Sequence, residues 1–105
     1  MIKTEICAGI CGFNTTIRGT SEDGQNAVLE IQSDCPDIRA MAESLKETDA
    51  YAACFGPMTE SPVYKLASEH CSHAACPVPS GIIKTLEAAC NLALPADVTI
   101  KITKE

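Results

Sequence analysis

Between residues 2 and 32 the chain alternates in polarity at every second residue, in three separate runs. Ile2, Thr4 and Ile6 alternate with Lys3 and Glu5. Phe13, Thr15 and Ile17 alternate with Asn14, Thr16 and Arg18, and Ala27, Leu29 and Ile31 with Val28, Glu30 and Gln32. A period of two turns one face of each run toward a core and the other toward water. Parallel neighbours need a crossover of about a dozen residues or more. Here Ser21-Glu22-Asp23-Gly24 is a short turn with its Asp-Gly signal. Three consecutive antiparallel strands follow.

The period then changes. Ile38, Met41, Ala42 and Leu45 stand at helical spacing, with Ser33 or Asp34 as cap and Pro36 suited to the first turn. Thr48 or Asp49 starts a short helix through Tyr51 and Phe55, which Gly56-Pro57 ends. Ser61-Pro62 opens a helix carrying Val63, Leu66, Ala67 and His70 on one stripe. Pro79-Ser80 opens the last, with Ile83, Leu86, Ala89 and Cys90 inward and Pro95 as its stop. Val98, Ile100 and Ile102 alternate with Thr99, Lys101 and Thr103, a closing strand. The expectation is one α+β domain over residues 1–105. Its four-stranded, mostly antiparallel sheet runs in the order β-β-β-α-α-α-β, counting the main helices, with the helices on one face.

Composition narrows what such a domain does. A formal charge of −6 lacks the basic surface of a phosphate-tracking nucleic-acid binder and offers no anchor for anionic lipid. No apolar run approaches the ~20 residues of a membrane span. The opening Met1-Ile2-Lys3-Thr4-Glu5-Ile6 reads as a strand rather than a secretory leader, which points to the cytoplasm. Seven cysteines are an odd number, so full intramolecular pairing is impossible. Reduced thiols divide instead between core packing and a thiolate site.

Cys76-Pro77-Val78-Pro79 is the sharpest local motif. Prolines suit a first helical turn, and a cysteine beside one meets the positive end of the helix dipole, which favours a reactive thiolate. Cys35-Pro36 repeats that placement. Cys7 and Cys11 flank a glycine-bearing strand connection, where a tight turn can bring two thiolates onto one soft ion. Cys7, Cys11, Cys35 and Cys76 together make a four-thiolate set for Zn or an Fe–S cluster. Within His70-Cys71-Ser72-His73-Ala74-Ala75-Cys76, His70 continues an apolar stripe and His73 is freer to act as a ligand or proton donor. Cys54 and Cys90 sit among apolar residues at helical spacing and read as core volume. No phosphate loop, HExxH pair or Gly-x-Ser-x-Gly elbow occurs.

Cys76-Pro77-Val78-Pro79 and the following Ile83, Lys84 and Leu86 resemble the Cys-Pro-x-Pro motif of the TusA-type sulfur carriers, over about the last third of the chain. The resemblance implies a persulfide-carrying role for Cys76 on a two-layer α/β sandwich. Taken whole, the chain is similar to uncharacterised short cysteine-containing proteins of anaerobic microbes.

Three readings stand. The first is a metal-binding module holding Zn or an Fe–S cluster through Cys7, Cys11, Cys35 and Cys76. The second is a sulfur-carrier or thiol-redox protein with Cys76 as reactive thiol and Cys35 as relay. The third is an interaction domain whose cysteines only pack. None requires a stand-alone enzyme. The first two call for a redox or sulfur-handling protein partner, and the sheet edges leave room for a homodimer.

Overall fold

Hairpin geometry builds the first half of the molecule. In a computed structural model describing residues 1–105, β1 (Ile2–Cys7), β2 (Asn14–Ser21) and β3 (Asn26–Ser33) form an antiparallel meander. The Asp23 carboxylate closes the second turn by accepting the Gln25 and Asn26 N–H groups at 2.9 and 2.7 Å. Gly24 supplies the left-handed residue there, with φ +76°. Pairing of Ile17 with Ile31, and of Gly19 with Leu29, aligns the inward faces.

Helix α1 (Pro36–Ala42) starts at its proline, as the sequence predicts. Next come β4 (Glu47–Asp49), α2 (Ala50–Cys54), a single 3-10 turn at Met58–Glu60, α3 (Pro62–His70) and α4 (Val78–Ala89). Asp49 caps α2 through Tyr51 N–H at 2.9 Å. The sheet order is β1-β2-β3-β4, every pair antiparallel. An α+β fold with a four-stranded antiparallel sheet is therefore what forms.

The fourth strand is not the one the alternation selects. Glu47–Asp49 pairs with Asn26–Val28 and buries Thr48, whereas residues 98–102 form no strand. The element order becomes β-β-β-α-β-α-α-α, in place of an order closing on a C-terminal strand. The physical reason is chain path. The α1-to-α2 connection passes alongside β3 and can pair at once. The C-terminal segment leaves α4 and lies exposed, with Val98, Ile100 and Ile102 in solvent.

Ile17, Ala27 and Leu29 of the sheet meet Ile38, Met41, Leu45, Ile82 and Leu86 in one core. Helix α4 packs across β1 and β2 at close range. A side chain at Gly81 would run into Ile6 Cδ1, and a Cβ at Gly19 would stand 3.1 Å from the Thr85 methyl. Thr4 donates to Thr85 Oγ1 at 2.6 Å, because Thr85 spends its own hydrogen on Gly81 C=O at 2.8 Å. The α4 stripe is rotated from the expected one: Ile82 and Thr85 face the sheet, while Ile83 is half-buried beside Cys54. No helix is long and apolar enough to cross a membrane.

Candidate functional site

Three segments deliver thiols to one end of the sheet. Cys35 is the N-cap of α1, in extended backbone, and its N–H donates to Ser33 Oγ at 3.1 Å. Cys71 ends α3, its N–H closing on Ala67 C=O at 2.8 Å. Cys76 lies in the loop before α4, with its N–H on His73 C=O at 3.3 Å; Pro77, one residue later, is the helix cap. The 71–76 loop is fastened to α1 by Ser72, whose N–H and Oγ donate to Asp37 Oδ2 at 3.2 and 2.8 Å. All three cysteines are half-buried against the core and unpaired.

The electrostatics follow from that crowding. Burial pushes the Cys71 thiol from an ordinary 9.0 up to about 11, and negative charge on Cys76, on the Asp37 carboxylate and on Cys35 pushes the same way. A hydrogen bond with Cys76 adds to the shift by favouring the protonated form. Cys71 is thus within electrostatic range of both Cys76 and Cys35. On its inner side, the Cys71 sulfur rests 3.9 Å from Met41 Sδ.

Cys7 and Cys11 stand apart from this group. Cys7 ends β1 and donates to Asn14 Oδ1 at 2.9 Å, while Asn14 N–H reaches Asp34 Oδ2 at 3.0 Å. That chain places Cys7 at the same end of the sheet as Cys35, on its exposed side. Cys11 occupies an exposed loop whose Gly9 and Gly12 take φ +91° and +73°. The expected quartet of Cys7, Cys11, Cys35 and Cys76 is not gathered around one point. No three Cys, His, Asp or Glu side chains are set as a ready ligand group.

Of the two histidines, His70 is half-buried at the end of α3 and His73 is exposed. Cys90 is 4% exposed in the core. Cys54 is half-buried with its sulfur 3.8 Å from Ile83 C=O, and burial pushes it up to about 11, with Glu87 and Cys90 adding to the shift. Sequence reasoning sets its weight within residues 70–76 on the histidines, yet the residue that joins the cluster is Cys71. The available signal was position. A cysteine closing a helix five residues before a Cys-Pro start is carried back toward it by the turn. Two hollows, of about 250 and 310 Å³, lie away from these thiols, one between α2 and α4 and one beside the β2–β3 turn.

No curated protein and no solved structure matches the chain. A family model does match, over residues 2–102. With nearly its whole length covered, the chain belongs to DUF6951, a family of unknown function.

Proposed function

We propose that the protein works through a dithiol, Cys71 and Cys76, that exchanges with disulfides of a redox or sulfur-handling partner in a reducing compartment such as the cytoplasm. What supports this reading is the placement of Cys71 at the end of α3 and Cys76 before α4 on one short loop held to α1 by Ser72 and Asp37, close enough for Cys76 and Cys35 to raise the Cys71 thiol electrostatically. A thiolate of Cys76 attacks one sulfur of a partner disulfide, and the S–S bond breaks as the second partner sulfur leaves as a thiolate that takes up a proton. Cys71 then loses its proton and displaces the first partner sulfur, closing a Cys71–Cys76 disulfide. Two protein thiols become one disulfide, and the partner gains both electrons and both hydrogens. Cys76 is also the atom that would accept sulfur in the carrier role its Cys-Pro-x-Pro resemblance implies.

The test is anaerobic incubation with a disulfide oxidant followed by peptide mapping. The expected product has lost two hydrogens and links Cys71 to Cys76, and reductant restores it. Cys71→Ser should instead accumulate a mixed disulfide on Cys76. Oxidation scattered over Cys7 and Cys11, with Cys71 and Cys76 untouched, would overturn the proposal.

A second reading is favoured by Cys35, which a dithiol does not need. With Cys71 and Cys76 it makes three sulfurs, and Cys7 lies at the same end of the sheet, on its exposed side. Such a donor set suits Zn or an Fe–S cluster, provided the side chains turn inward from their present arrangement. Metal and labile-sulfide analysis of anaerobically purified wild type, beside Cys76→Ser, separates the two. Stoichiometric metal lost in the variant supports the module.

A further inference from the structure

We propose that residues 97–103 of one copy add as a fifth strand to the open edge of β1 in a second copy, giving a dimer with exchanged arms. The segment has every property of a strand except a neighbour. Val98, Ile100 and Ile102 alternate with Thr99, Lys101 and Thr103, and those three apolar side chains are 58, 74 and 88% exposed. Nothing in its own chain pairs with it. An isolated extended segment in water leaves its apolar face wet and has no ladder to order it, so a partner is the ordinary source of such order.

β1 is the matching vacancy. It is the first strand in the sheet order, with β2 on one side only, so alternate N–H and C=O groups of residues 2–7 face outward unpaired. Its inward side chains Ile2, Thr4 and Ile6 are only half-buried, unlike Thr15 and Ile17 of β2, because nothing flanks them on the open side. The lengths agree: six residues of β1 span roughly 20 Å, and residues 97–103 roughly 23 Å. The faces agree too. Laying Val98, Ile100 and Ile102 beside Ile2, Thr4 and Ile6 continues the apolar layer toward α4. With the arm running parallel to β1 in that register, Lys101 falls opposite Glu5 on the outer face and Asp97 diagonal to Lys3, opposite charges in reach of each other. The β4 edge offers only three residues and a weaker match.

A single arm is a small contact. Two arms exchanged about a two-fold axis double that contact, and the symmetry closes the assembly.

The full chain tests this directly. Sedimentation should give wild type twice the 11.1 kDa chain mass, and Ile100→Asp the single-chain mass. Ile100 is 74% exposed, so that substitution leaves the folded monomer intact. In a mixture of isotopically heavy and light wild type, carbodiimide coupling should join Lys101 of one isotope to Glu5 of the other. Wild type at single-chain mass, an Ile100→Asp dimer, or Lys101–Glu5 links confined to one isotope would overturn the proposal. The last result would mean that the arm folds back on its own β1.

Discussion

Replacing Cys76 by Ser should make its neighbour Cys71 more acidic, and the size of the effect can be worked from the site. Cys71 is held up to about 11 by burial first and by developing charge on Cys76 second. A thiol with the ordinary value of 9.0 is about one-tenth ionised at pH 8, whereas one at about 11 is about one-thousandth ionised, roughly a hundredfold less. Greater intrinsic nucleophilicity at the higher pKa recovers roughly a factor of ten, given a Brønsted slope near 0.4–0.5. The net expectation is reaction with a small disulfide reagent roughly tenfold slower than a thiol at the ordinary 9.0. The Cys71 rate should still climb tenfold per pH unit at pH 9.5, where an ordinary thiol is levelling off. In Cys76→Ser the neighbouring charge is gone, so the rate at pH 8 rises and the climb ends earlier. Pulse labelling with peptide-resolved mass spectrometry reads each cysteine separately. A Cys71 profile unchanged by Cys76→Ser would refute the claim that the two sulfurs act on each other.

The packing of α4 on β1 supplies a second expectation. Gly81→Ala overpacks against the end of the Ile6 side chain while gaining about 0.5–1 kcal/mol of helix propensity inside α4, so its net loss should stay within about 1 kcal/mol. Removing that δ-methyl with Ile6→Val should recover part of the loss, a coupling that urea denaturation of the double-mutant cycle measures. Alkaline pH should also weaken the fold. Cys71 and Cys54 titrate near 9.0 when unfolded and near 11 when folded, so between those values the unfolded chain releases protons that the native state retains. Stability is then full below pH 9 and falls toward pH 11, a drop that chemical denaturation should find reduced in Cys71→Ala. At the acid end, the Asn26 and Gln25 N–H groups hold Asp23 down to about 2 from 3.8. The hairpin's contribution is therefore present above pH 4 and lost as pH falls toward 2. Asp23→Ala should flatten that acid dependence and speed amide exchange in residues 21–26.

Local periodicity was enough to set three strands, the starts of α1 and α3 at Pro36 and Pro62, and the inward faces carrying Ile17, Leu29, Ile38 and Met41. These features depend on neighbours two to four positions away, and the chain writes such neighbours out in order. Cys35 and Cys76 could be placed at helix starts for the same reason. Which segment completes the sheet depends instead on where the chain has travelled. Residues 98–102 alternate well and pair with nothing in their own chain, while Glu47–Asp49 shows almost no pattern and pairs because it runs beside β3. Alternation states that a segment can be a strand, and only three-dimensional proximity assigns it a partner. The thiol cluster follows the same rule. Cys71 carries no motif of its own. It joins Cys35 and Cys76 because Ser72 ties the end of α3 to Asp37 on α1, and because burial beside Met41 raises its proton affinity. Contacts between residues thirty or more positions apart arise from packing, and that long-range packing decided which cysteines meet.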